Sequence, residues 1–356
     1  MYRLRNADRV SAISAAPVRN ERLAFVFLPA ITYQDPGSDR GQGAEWHAEP
    51  RATPLQSVVN DPKVLLKRLG GPMPSNSDRV AIVTDSTCDI PIELVQKHRL
   101  TIVPLYILWG DEQLIDGVDI DQDAFFARLP EDPDHPSTSQ PTPGDFVRAL
   151  QTLDAEEILV ITLSDALSGT HESACQARDE LDVPVHVVDS RSLSMGVGYQ
   201  VLAAAQARER GADVEGMMAA AEAVREKLSI LLTVDTLEYL HRGGRIGAAA
   251  KLLGSLVQLK PMLGVDHTCG ILEPVEKTRT RKRALDRIIE ATFERVDPDK
   301  PLHAAVVHGA AAEDAELLLN EVKRRCKDVE TMVCPITPVL GVHGGPGTVG
   351  IAAFND

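Results

Sequence analysis

Hydroxyl side chains in two separated loops are the residues of this chain best suited to chemistry. Residues 161–171, ITLSDALSGTH, pass from an apolar strand pattern through a Ser-Gly-Thr turn into a helical pattern. This order directs backbone N–H groups, hydroxyls and a helix N-terminus to one spot, which favours an oxyanion such as phosphate or carboxylate. The second loop, residues 136–141, reads PSTSQP, and its two prolines hold it extended. Neither loop contains a lysine, so we expect a neutral site that holds an anionic head group weakly.

Each polar turn also has a purely structural interpretation. Ser168 can cap the helix that follows it, and capping is compatible with ligand binding because both use the same polarised turn. Upstream, Asp85 resembles the strand-end aspartate of a phosphotransfer enzyme. The next acid is four residues away rather than two, so we favour capping of the next helix by Ser86 or Asp89.

The usual signatures of hydrolytic and metal-dependent catalysis are missing from the sequence. It contains no HExxH, GxSxG or P-loop motif, and its histidines show no metal-ligand spacing. Ser164 or Ser168, with Asp189 and His308, supply the residue types of a hydrolase triad, but their spacing does not support one. We therefore predict neither a catalytic residue nor a metal site.

Two arginines flank a glycine turn in HRGGRIG, residues 241–247. Arg242 and Arg245 could offer cations to a phosphate or to an acidic partner. The alternative is a flexible turn that ends a helix and leaves both side chains in solvent, and composition does not decide between the two. The basic stretch Arg279–Arg283 is more typical of a solvated helix face.

The segments that must position these residues alternate between strand and helix patterns from Arg79 onward. Buried-strand patterns cover residues 80–84, 100–109, 157–163, 185–189 and 230–234. Helical patterns lie between them, beginning with Ile90–His98, for which Asp89 is a candidate cap. Such alternation predicts an α/β fold whose N-terminal domain, residues 78–235, has a mostly parallel sheet. Ligands bind such sheets outside the carboxyl ends of the strands.

The pattern changes after Asp235, and we interpret residues 236–356 as a smaller α+β domain. A small-residue helix is expected over Ile246–Leu256, followed by a strand pair at 259–265 and 271–276. A basic helix and two further strands around a helix come next, and a glycine-rich turn from His343 opens the last strand.

Composition limits the class of protein. With 356 residues, 37 basic and 52 acidic side chains and a net charge of −15, the chain suits about two domains and not a nucleic-acid partner. Its five cysteines form no CxxC pair, which indicates a reducing cytoplasm and small buried thiols. Residues 1–77 are rich in Arg, Pro, Gly and Ser, so we expect a disordered extension or a misassigned start.

Eight motifs in order resemble those of the DegV family of fatty-acid-binding proteins. They are VTDSTCDIP, VPLYI, PSTSQPTPGDF, LSGTHESA, VVDSRSLSMGVG, TLEYLHRGGRIG, the KP at 260–261 and HGGPGT, and they extend from about Arg79 to the C-terminus. The resemblance implies a two-domain α/β protein with one acyl chain buried between the domains. It also implies that Thr138, Ser168 and His343 bind the fatty-acid carboxylate.

Some members of this family carry the substrate of a bacterial fatty acid kinase. By that resemblance the chain is expected to be a cytoplasmic lipid-binding protein, without a cofactor, that presents a long-chain fatty acid to an ATP-dependent kinase subunit. Arg242 and Arg245 would contact that partner, and transient contact with a membrane is compatible with such a carrier. The alternative is a stand-alone enzyme acting on a small carboxylate or a phosphate ester.

Overall fold

The computed structural model describes residues 79–252 and 259–356 of the chain. The interpretation of residues 1–77 and the last part of the predicted helix Ile246–Leu256 therefore lie outside the described residues. No helix in the described ranges is both long enough and apolar enough to cross a membrane.

The first sheet is parallel, as the alternating pattern predicted. Its order is β2-β1-β6-β7, formed by β1 Val80–Asp85, β2 Leu100–Val103, β6 Glu157–Thr162 and β7 Val185–Asp189. The two central strands are almost wholly buried, since helices cover both faces. The carboxyl ends of β1 and β6 lead into the Asp85 and Ser164–Ser168 segments.

The prediction of one strand over residues 100–109 is wrong, because the chain changes sheets at Pro104. After β2, a separate antiparallel sheet of order β4-β3-β5 forms from β3 Tyr106–Trp109, β4 Glu112–Ile115 and β5 Ser137–Ser139. Proline has no N–H to donate to a sheet ladder. This small sheet was not predicted, and it turns the expected Pro/Ser/Thr loop into a short strand.

The second sheet is mixed and has the order β10-β9-β8-β13-β11-β12. Its strands are β8 Ser229–Thr233, β9 Lys260–Asp266, β10 Ile271–Thr278, β11 Leu302–Gly309, β12 Val329–Pro335 and β13 Thr348–Asn355. The expectation that residues 230–234 close the first sheet is wrong, because β8 pairs antiparallel with β13 and β9. A buried apolar strand fits either sheet, and its sequence does not identify its neighbours.

Helices pack on both sheets and join them. They are α1 Ile92–Lys97, α2 Gln122–Arg128, α3 Pro143–Leu150, α4 Thr170–Arg178, α5 Met195–Glu209, α6 Val214–Lys227, α7 Glu238–Arg242, α8 Arg281–Phe293, α9 Ala312–Arg325 and α10 Pro338–Gly344. A continuous apolar core includes Ile82 of β1, Met195 and Val201 of α5, and Ile230 and Val307 of the second sheet. The two sheets therefore share one apolar interior.

Helix α1 begins differently from the prediction. Pro91 precedes its first turn, and neither Ser86 nor Asp89 caps it. Asp85 instead accepts the Thr87 N–H and caps a short 3₁₀ helix, Ser86–Cys88. The side chains of Ser86 and Asp89 reach other parts of the fold.

Candidate functional site

Thr138 and His343 meet although 205 residues separate them in the chain. Strand β5 holds Thr138 opposite Ile107 of β3, and α10 carries His343 near its C-terminal end. The Thr138 Oγ1 atom lies 2.9 Å from His343 Nε2, which is hydrogen-bonding distance. The structure thus brings together two of the three residues predicted for the carboxylate.

The environment of His343 keeps its imidazole neutral. Burial lowers the pKa of His343 to about 4, and the positive charges of Arg245 and His135 act in the same direction. Its Nδ1 is buried and has no hydrogen-bond partner among the described residues. The backbone of Gly243 lies against the ring, and a Cβ there would be 2.1 Å from His343 Nδ1. Only glycine fits beside the imidazole in this position.

Ser168 lies in a tight turn between β6 and α4. The N–H groups of Leu167 and Ser168 both donate to the Ser164 carbonyl, at 3.0 and 3.1 Å. The capping interpretation of Ser168 is wrong, because α4 begins at Thr170 after Gly169 and has no side-chain cap. The Ser168 hydroxyl instead lies 2.9 Å from Thr170 Oγ1. It is half-buried at the edge of the turn.

Gln140 and Gly169 connect the Thr138 strand with the Ser168 turn. A Cβ on Gly169 would be 2.8 Å from Gln140 Nε2, so the glutamine side chain packs directly against the glycine. The two hydroxyl segments singled out in the sequence are therefore neighbours in the structure.

Arg245 adds a cation to this region, which sequence reasoning expected to be neutral. Its Nε donates to the Leu167 carbonyl at 3.0 Å, next to Ser168, and its Nη1 donates to the Gly243 carbonyl at 2.8 Å. A cavity of about 340 Å³ is lined by the Ser168 turn, Arg245 and Leu272. Neither hydroxyl loop contains a lysine, but Arg245, which lies in a turn 78 residues after Leu167, brings a positive charge to them.

Arg242 lies in a different environment from Arg245. It is exposed and forms an ion pair with Glu238 one turn earlier in α7. Because both side chains of this ion pair are exposed and such a pair is weak, the Arg242 guanidinium remains accessible. The two arginines of the HRGGRIG sequence therefore differ in burial and in contacts.

His135 and Tyr239 are residues near this site that sequence reasoning missed. Their ring centroids are 5.5 Å apart. Burial lowers the pKa of His135, with a further contribution from the Arg242 charge. His135 Nε2 is buried without a hydrogen-bond partner in the described part of the chain. In the sequence, only the position of His135, three residues before Thr138, could have indicated that it lies near the site.

The candidate triad residues have other contacts. Asp189 Oδ1 accepts the N–H groups of Asp165 and Arg191, and His308 Nδ1 accepts the Ala311 N–H. Within residues 79–252 and 259–356 no cluster of three or more His, Cys, Asp or Glu side chains could hold a metal ion. Three cysteines are buried as expected, but Cys175 is half-buried and Cys269 is exposed.

Comparison with known proteins identifies the family. The DegV family model, whose description calls its members uncharacterised, matches residues 79–356. A DegV domain-containing protein of Streptomyces coelicolor is 38% identical over 77% of this chain and 98% of its own length. Protein DegV of Bacillus subtilis is 32% identical over 76% of this chain and 98% of its own length.

Solved structures agree with the sequence comparison. A DegV family protein from Thermus thermophilus, described by its fatty acid binding, is 34% identical with a TM-score of 0.73, over 78% of this chain and all of that one. Bacillus subtilis DegV, described as a fatty acid binding protein, is 31% identical with a TM-score of 0.73, over 79% of this chain and all of its own. Fold, motifs and relatives agree, and this chain belongs to the DegV family.

Proposed function

We propose that this protein binds a long-chain fatty acid and holds its carboxylate with Thr138, Ser168 and His343. The observation that carries the proposal is the Thr138–His343 hydrogen bond beside the Ser168 turn. Solved relatives described as fatty acid binding proteins support it. The acyl chain would lie in the apolar interior shared by the two sheets.

The neutral imidazole has a defined task in this arrangement. When Nε2 carries the proton, it donates to Thr138 Oγ1 and leaves the Thr138 O–H free to donate to the carboxylate. Ser168 can donate a second hydrogen bond from the neighbouring turn. Hydrogen bonds from hydroxyls leave the carboxylate less tightly held than a buried ion pair would, which suits a head group that must react.

The tail supplies most of the affinity. Burial of one methylene contributes about 0.8 kcal/mol, so a tail of around 14 to 16 methylenes contributes on the order of 10 kcal/mol before ordering costs. Tight binding of the whole ligand is therefore compatible with weak contacts at its head.

We further propose that the protein presents the carboxylate to an ATP-dependent fatty acid kinase, which forms the acyl phosphate. Arg242 is exposed close to His135 and offers an accessible cation to that partner. Arg245 lies nearer the head group and would contact the partner at the edge of the cavity. Such a carrier would work in the cytoplasm, and transient contact with a membrane is compatible with this role.

Native mass spectrometry of the protein purified from a bacterial host tests the binding proposal. We expect a bound mass equal to one long-chain fatty acid, which denaturation releases for identification. Delipidated protein exposed to stearate should regain one equivalent. A bound small carboxylate or phosphate ester, with no uptake of stearate, would overturn the proposal in favour of a stand-alone enzyme.

A further inference from the structure

Two aspartates from the N-terminal half of the chain bind the beginning of α10, the helix that carries His343. Asp89 Oδ1 accepts the Thr337 N–H at 2.9 Å, and Asp116 Oδ1 accepts the Val339 N–H at 3.1 Å. Thr337 precedes the helix and supplies no side-chain cap of its own. The first turn of an α-helix leaves its N–H groups without partners inside the helix, so these carboxylates fill that role.

Both carboxylates are themselves fixed by buried hydroxyl groups. Asp116 Oδ2 accepts the Ser86 hydroxyl at 2.6 Å, and Ser86 Oγ in turn accepts the Leu105 N–H at 3.1 Å. Asp89 Oδ2 accepts the Ser194 hydroxyl at 2.5 Å. Asp116 thus connects α10 to Ser86, directly after β1, and Asp89 connects it to Ser194, directly before α5.

The same contacts reach the strand that carries Thr138. Leu105 lies directly before β3, and β3 pairs with β5, on which Thr138 lies. Val339 and Val342 of α10 pack in the apolar cluster of Ile107 on β3. Helix α10 is only seven residues long, about two turns, so the position of its first turn sets the position of His343.

We infer that Asp89 and Asp116 are positioning residues of the head-group site, which set His343 against Thr138 by holding the N-terminus of α10. The part of the inference that concerns ligand affinity rests on the proposed function. The part that concerns the position of His343 does not, because it rests on contacts between residues of the chain itself.

The variants Asp116→Ala and Asp116→Asn separate this role from a general loss of stability. Asparagine keeps an oxygen that can accept the Val339 N–H, and its NH₂ group can donate to Ser86 Oγ in place of the bond that Ser86 donates to the aspartate, whereas alanine removes both contacts. Asp213→Ala is a control for the loss of a helix cap, since the Asp213 side chain accepts the Gly216 N–H of α6. Asp89→Ala, with Asp89→Asn, gives a second test should Asp116→Ala fail to fold.

The first measurement is the imidazole titration of His343 by NMR in the lipid-free protein. In wild type and Asp116→Asn we expect the lowered pKa of about 4. In Asp116→Ala the released ring becomes more hydrated, so its pKa should move towards 6.5. Asp213→Ala should titrate like wild type although it loses a cap.

The second measurement is stearate affinity by calorimetry. We expect Asp116→Ala to bind about 5- to 150-fold more weakly than wild type, and Asp116→Asn to stay within about 2-fold. An unchanged His343 titration in a folded Asp116→Ala or Asp89→Ala variant would overturn the inference. Failure of the wild-type protein to bind stearate would instead overturn the proposed function and leave the titration test valid.

Discussion

At the scale of single residues, the proposed site would hold the carboxylate directly with hydroxyl groups, while the nearby Arg245 side chain bonds to backbone carbonyls. Thr138 and Ser168 are both half-buried, so a carboxylate between them is partly desolvated and depends on their donors. In this proposal the neutral His343 would act through its hydrogen bond with Thr138 rather than as a counter-ion. In the proposed site the hydroxyl geometry would therefore orient the head group, and Arg245, which bonds to the Leu167 carbonyl, is the cation beside the Ser168 turn.

Removal of the two hydroxyls should weaken binding without unfolding the protein. Loss of one donor leaves a carboxylate acceptor unpaired and costs about 1–3 kcal/mol, or roughly 5- to 150-fold in affinity. We expect the double variant Thr138→Ala, Ser168→Ala to bind stearate more weakly by at least that factor in calorimetry. It should also support little acyl-phosphate formation with a cognate kinase.

Two controls make this result specific to the head group. Ser139→Ala removes the adjacent hydroxyl on β5, which within the described residues donates to the neighbouring Gln140 carbonyl, and this variant should bind like wild type. Stearyl alcohol should lose less affinity than stearate in the double variant, because its head group is less demanding. Equal stearate affinity in wild type and the double variant would refute the head-group assignment.

At the scale of elements, the sequence predicted what local periodicity determines and missed what long-range pairing determines. The strands β1 and β6 were evident from their apolar runs. Strand β5 has only three residues, all of them polar, and it forms by pairing with β3. Its own sequence therefore shows no alternation of apolar and polar residues. Asp89 was expected to cap its neighbour α1, yet it binds α10, 248 residues away. No local pattern encodes a contact of that kind.

The two arginines on either side of the glycine turn after α7 should have different roles, which the sequence alone did not distinguish. Arg245 bonds to the Leu167 carbonyl beside Ser168, whereas Arg242 is exposed and pairs with Glu238. We expect Arg242→Ala to retain wild-type stearate affinity while lowering acyl-phosphate formation with a cognate kinase. Arg245→Ala should lower both, because the Ser168 turn loses a bond. Loss of stearate binding in Arg242→Ala would place this arginine at the lipid instead of the partner.

At the scale of the whole molecule, buried titratable groups make opposite contributions to the pH dependence of stability. Burial raises the pKa of Asp89 to about 8 and that of Asp116 to about 6, with the nearby carboxylates adding to the shift. Burial lowers the pKa of His343 and of His267, each to about 4. The folded state therefore binds protons at the aspartates more tightly, and at the histidines less tightly, than the unfolded chain does.

The aspartate contribution can be isolated by comparing wild type with Asp89→Asn. A carboxyl whose pKa rises from 3.8 unfolded to about 8 folded stabilises the protein fully below pH 4 and progressively less up to pH 8. The histidines change stability in the same way in both proteins, so the difference between the two reports Asp89. Asparagine resembles the neutral acid at every pH, and the variant should therefore gain stability relative to wild type as pH rises from 5 to 8.

Urea denaturation at several pH values measures this difference in the free energy of unfolding. The variant Asp213→Asn, which changes an exposed aspartate, is the control. Parallel pH profiles for wild type and Asp89→Asn would show that the Asp89 carboxyl is ionised throughout this range and that its burial does not govern its titration.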